Sequence, residues 1–237
     1  MTSGKLLIGK VVDPPAKVIK LDWPLTFTII LFGFVIRELF LRLQSWGSLA
    51  AAAKWQLIVG MVLVLGSWIG FSGSLNRSGY QPKVFNLPLL RFVLDQGMVI
   101  VYFRIAVLIP MDLKTGINVG ALANDTMMAL VVVFVLYWIW DLLGIWMASV
   151  TRNGGPKYGK TTWDSKKNMD VWTNERIAPN WPGLVITFVA FGLMVLIAAV
   201  IYPGRNLDEQ SAERALMAAT VLLVIYRFAK EVRTSWM

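Results

Sequence analysis

Apolar positions in this chain gather in long blocks, and polar positions separate the blocks. Six such runs stand out: Trp23–Leu43, Trp55–Phe71, Pro88–Pro110, Met127–Val150, Trp181–Pro203 and Ala212–Lys230. None shows the period-two alternation of a half-buried strand. A bilayer core roughly 30 Å thick is crossed by about 20 helical residues, which is the length of each run. The pattern therefore predicts an all-α fold, a polytopic membrane protein of about six transmembrane helices.

Boundary residues agree. Trp23-Pro24 and Trp181-Pro182 each set an interfacial aromatic beside a first-turn proline, and Tyr202-Pro203 closes the fifth run. Asp208 or Ser211 is positioned to cap the sixth helix, with Glu213 early in it. The third and sixth runs are the ones most interrupted by charge. Many of the 11 tryptophans fall at run ends, as an aromatic belt would place them. The organisation expected is a basic N-tail over residues 1–22, a bundle over 23–230 containing a long polar connection at 151–180, and a C-tail over 231–237.

Composition strengthens the membrane assignment. Hydrophobic residues make up 57% of the 237 positions, against about 45–50% in soluble domains. Mean hydropathy is +0.61. Cys and His are both absent. Their absence removes disulfides, iron–sulfur ligation, His-ligated haem, the usual zinc and copper sites, and the commonest general base at neutral pH. No cofactor and no metal are expected, and a carboxylate-only site is the one metal option left. No hydrophobic leader precedes Pro14-Pro15, so no signal peptide is expected.

The net charge of +9 is explained by topology before nucleic acid. With six spans, the tails and the 72–87 and 151–180 connections share one side, which with the adjoining helix ends carries 16 Lys and Arg against 5 opposite. The positive-inside rule then places both termini in the cytoplasm. The host membrane expected is a bacterial or archaeal cytoplasmic membrane, or an organelle inner membrane.

Charges within the runs are the first functional candidates, because ionisable groups in a bilayer are costly. At about 1.5 Å per residue, Glu38 lies about 22 Å from the cytoplasmic edge and Arg104 about 24 Å, level with each other and suited to a bridge. Asp95 lies about 10 Å deep and Asp141 about 13 Å, also level. A close pair of carboxylates shares a proton and can carry a cation or proton. The simpler expectation pairs each acid with a nearby arginine, such as Arg91 or Arg152. Gly66 and Gly70 form a GxxxG spacing, a common helix–helix contact.

The 151–180 connection contains Gly154-Gly-Pro-Lys-Tyr-Gly159-Lys160-Thr161, which matches the phosphate-loop pattern GxxxxGK[ST]. A working phosphate loop follows a strand and opens a helix. Here a membrane helix precedes it, and no room remains for a βαβ unit. The better reading is a basic surface of Lys157, Lys160, Lys166 and Lys167, with Trp163 and Trp172 as anchors, docking on lipid headgroups or a partner.

The sequence matches no channel filter or transporter pattern, and Asn, Gln and Ser are scarce in the runs. A 22-residue polar tail and a 30-residue connection are long for segments with nothing to hold them. The expectation is a non-catalytic membrane subunit of a larger assembly, its partners being membrane lipids and other membrane subunits or further copies of itself. The alternative is an ion or proton conductor using Asp95 and Asp141.

Overall fold

The computed structural model describes residues 23–77, 87–110, 118–152, 160–164, 169–173, 180–200 and 208–235. Six α-helices occupy the six apolar runs: α1 (Trp23–Gln44), α2 (Ala51–Arg77), α3 (Leu87–Leu108), α4 (Val119–Arg152), α5 (Trp181–Val200) and α6 (Glu209–Ser235). Three contain stretches long and apolar enough to cross a membrane: Ala51–Phe71, Gly120–Met147 and Trp181–Ala199. Charge interrupts the others, at Arg37 and Glu38 in α1, Asp95 and Arg104 in α3, and Arg227 and Lys230 in α6.

Hydropathy placed the helices but understated the length of α2, α4 and α6. α4 begins at Val119, eight residues before the apolar run, because Asn118 caps it: the Ala121 N–H donates to Asn118 Oδ1 at 3.1 Å. A side-chain cap satisfies an orphan amide that hydropathy does not register. Asn180 caps α5 through the Gly183 N–H, also at 3.1 Å. A Cβ on Gly183 would stand 2.4 Å from the Asn180 amide nitrogen, so glycine is what lets this cap close. Of the two residues expected to cap α6, Asp208 does so, accepting from the Ser211 N–H at 3.1 Å.

The helices pack as a closed ring in the order α1, α3, α4, α5, α6, α2 and back to α1, and α2 and α4 also meet across it. The core inside the ring is aliphatic with aromatic fill, including Leu57 and Leu63 of α2, Ile105 of α3, Leu130 and Phe134 of α4, Met194 of α5 and Leu216 of α6. Large side chains such as Phe34, Ile100, Phe188, Leu196 and Phe228 cover the outside. Apolar residues facing both inward and outward are what a lipid-embedded bundle requires. The tryptophans divide: Trp46, Trp146 and Trp181 are exposed near helix ends, whereas Trp68 and Trp140 sit within helices and pack on Phe32 and Arg91.

The all-helical class holds with one addition. Within the 151–180 connection, β1 (Lys160–Asp164) and β2 (Met169–Thr173) pair antiparallel, Lys160 opposite Thr173 and Trp163 opposite Asp170. The basic connection expected from the sequence thus contains a two-stranded ladder. Thr161, Thr162, Val171, Trp172 and Thr173 are β-branched or aromatic, the types a pleated ladder favours.

Candidate functional site

Where α2, α3, α4 and α6 meet, three hydroxyls form a triangle. Ser67 Oγ of α2 lies 2.8 Å from Tyr102 Oη of α3 and 2.6 Å from Tyr137 Oη of α4, and the two tyrosine oxygens are 2.8 Å apart. A hydroxyl donates once and accepts twice, so each member can satisfy its neighbours. Arg227 of α6 adds two donations from Nη2, to Ser67 Oγ at 2.6 Å and to Tyr137 Oη. Its guanidinium carbon lies 4.7 Å from the Tyr137 ring centre and 5.6 Å from that of Tyr226, within cation–π range.

The guanidinium reaches this position through a notch in α2. A Cβ on Gly66 would fall 2.9 Å from both Cγ and Nε of Arg227, and one on Gly70 would fall 3.1 Å from Nη1. The GxxxG spacing is therefore an arginine slot. The nearest atoms to both missing Cβ positions belong to the Arg227 side chain, not to another helix backbone.

One turn along α6, Lys230 Nζ donates to both oxygens of Asp141 on α4, at 2.9 and 2.7 Å. Thr187 of α5 donates to Asp141 Oδ2 at 2.5 Å and lies 3.3 Å from Tyr226 Oη. Asp141 is 6% exposed, so these bonds are its environment. Tyr226 stacks on Tyr137, ring centres 5.8 Å apart. The result is a polar column through the bundle that joins α2, α3, α4, α5 and α6.

Of the four charges singled out from the sequence, Asp141 belongs to this column, and its cation there is Lys230 of α6. Asp95 is buried on α3, and Arg91, one turn before it, lies 3.6 Å over the Trp140 ring. Glu38 does not bridge to Arg104. It pairs with Arg42 of its own helix at 2.6 Å, and Arg104 is exposed on α3. Depth alone suggested the Arg104 pairing. A partner at i+4 on the same helix is in reach at no cost in helix arrangement, and it wins. Arg42 in turn donates to the Val107 carbonyl of α3 at 3.4 Å.

Lys157, Lys166 and Lys167 lie outside the described residues. Lys160 and Trp163 are in β1 and Trp172 in β2. Lys160 and Thr161, the last two positions of the phosphate-loop match, open a strand where a working phosphate loop opens a helix. Among the described residues no group of three or more carboxylates converges as a metal site.

Ser67, Tyr102, Tyr137, Thr187 and Tyr226 were not legible as a site, and Arg227 and Lys230 were counted as topology signals. The available cue was Tyr226-Arg227 followed three residues later by Lys230, inside an otherwise apolar helix.

Three helices of spanning length, apolar flanks and a buried polar column define a polytopic helical membrane protein. No family model, no curated protein and no solved structure matches this chain.

Proposed function

We propose that this chain is a non-catalytic integral membrane subunit, a six-span helical scaffold with both termini in the cytoplasm. Its basic, Trp-bearing 151–180 hairpin connection docks on other membrane subunits. One observation carries this reading: both carboxylate oxygens of Asp141 are engaged, by Lys230 and by Thr187. An acid that carried a proton or cation would need to be free to exchange it. Glu38 is likewise consumed by Arg42. Buried polar ties of this kind fix which helices are neighbours, which is the property a scaffold needs. The test is isolation of the full chain in mild detergent. The expected result is a stoichiometric membrane partner whose association is lost when Lys157, Lys160, Lys166 and Lys167 are changed together to Glu. A lone monomer or homo-oligomer overturns the proposal.

A second reading, proton or cation conduction, draws on the hydroxyl triangle and the buried Asp95 and Asp141. Against it, no hydrogen bond among the described residues joins Tyr226 to the triangle. Flux through liposomes that falls in Asp95→Asn or Asp141→Asn would favour conduction; flux equal to protein-free liposomes removes it.

A further inference from the structure

We propose that the β1–β2 ladder lies on the headgroup layer of the protein's own bilayer, with the face that holds Trp163 and Trp172 against the lipid. The two tryptophans are nine residues apart, an odd separation that would put them on opposite faces of a single strand. The register of the ladder changes that. Trp172 stands opposite Thr161 and Trp163 opposite Asp170, and directly opposed residues share a face. Thr161, Trp163, Asp170 and Trp172 therefore occupy one face, the tryptophans being diagonal neighbours about 7–8 Å apart. Lys160, Thr162 and Val171 fall on the other.

An isolated two-stranded hairpin is marginal in water and needs a surface behind it. Among the described residues no helix packs on the ladder as the helices pack on one another. The bilayer is the surface in reach. β1 begins eight residues after α4 ends at Arg152, and α5 begins at Trp181, eight residues after β2 ends. At about 3.4 Å per extended residue, neither strand end can stand more than roughly 27 Å from its helix. Both α4 and α5 carry stretches long and apolar enough to cross a membrane. A tether at each end holds the ladder beside that membrane at high effective concentration, whereas a partner protein has to arrive by diffusion. Tryptophan favours headgroup level, where its ring body is covered and its N–H stays wet. Residues 151–180 carry six Lys and Arg against three Asp and Glu, an excess that an anionic leaflet attracts. Asp170 sets the depth. A carboxylate is costly in hydrocarbon, so the face that holds it rests among the headgroups and goes no deeper.

This inference rests on the reading of α4 and α5 as spans and needs no partner subunit; the face with Lys160 stays open for the contact proposed above. The test places the full chain, one copy per nanodisc, in phosphatidylcholine with a quarter phosphatidylglycerol. The chain has no cysteine, so Thr161→Cys and Thr162→Cys each carry a single fluorescent label, on opposite faces, while both tryptophans remain. A headgroup nitroxide is expected to quench the label at position 161, and aqueous iodide the label at position 162, each several-fold more than at the other position. Adding Trp163→Ser and Trp172→Ser together is expected to abolish the lipid quenching at position 161. Lipid quenching that survives the loss of both tryptophans overturns the proposal. Equal iodide access at positions 161 and 162 in the chain with both tryptophans also overturns it, and gives that face to a partner protein. Val189→Cys, exposed midway along α5, is read in parallel with a nitroxide deep in the acyl chain. Quenching by iodide there would overturn the span, and the ladder's seat with it, an outcome distinct from equal access at the ladder alone.

Discussion

Replacing Gly66 by Ala tests the arginine slot directly. The added methyl would sit 2.9 Å from Cγ and Nε of Arg227 and 3.1 Å from Cδ. Carbon atoms in contact prefer about 3.5–4.0 Å, so the side chain must withdraw by about 0.6 Å or more. Arg227 is not free to do so without loss, because Nη2 holds Ser67 and Tyr137 and the guanidinium lies within cation–π range of two tyrosine rings. A hydrogen bond to a charged group contributes about 1.5–3 kcal/mol. Overpacking a full site costs about 1–3 kcal/mol. A glycine replaced by alanine inside a helix returns about 1 kcal/mol. Losing the weaker of the two bonds, with modest overpacking, leaves Gly66→Ala destabilised by about 2 kcal/mol. In an Arg227→Met background the methyl meets a flexible apolar chain, and the same substitution becomes neutral or stabilising by up to about 1 kcal/mol. The coupling in the double-mutant cycle is then about 2–3 kcal/mol. Unfolding in mixed dodecylmaltoside and SDS micelles, followed by tryptophan fluorescence, reads it. Equal costs in both backgrounds would refute the slot and return Gly66 to ordinary helix–helix packing.

Three further predictions concern single elements. Lys230→Met leaves Asp141 buried with only Thr187, and the expected loss is about 3–5 kcal/mol; Asp141→Asn combined with Lys230→Met recovers much of it, by the same unfolding assay. Gly183→Ala drives the Asn180 amide off its cap and is expected to cost no more than Asn180→Ala, about 1 kcal/mol, with the double substitution no worse than the single, as thermal melts in detergent would show. Asp208 has its carboxyl held below the usual aspartate value by hydrogen bonds from Ser211. A depressed value in the folded state means the cap contributes fully above the ordinary aspartate range. The contribution is lost as pH falls through the folded value, below about pH 4. Asp208→Ala should remove that part of the acid dependence while leaving the melt near neutrality lower and flat.

The number and position of the helices were legible along the chain, because a long apolar run is a local property of sequence, and three of the six are long and apolar enough to cross a bilayer. Block hydropathy located all six, and the Asp208 cap was readable for the same reason, since a cap acts within one turn. The hairpin at Lys160–Thr173 was less visible: its strands are five residues each and sit among lysines and turn residues. The partners of the charges were not legible at all. Depth placed Glu38 beside Arg104, and α1 does pack against α3, yet Glu38 bonds Arg42. Depth placed Asp141 level with Asp95, yet its partner is a cation from α6, 89 residues away. Hydropathy marks where an apolar helix runs along the chain. It says nothing of how a helix is rotated about its axis or which helix stands beside it. Those two quantities are settled only when side chains from distant segments interlock, and they are what brought Arg227 into the notch at Gly66 and Gly70.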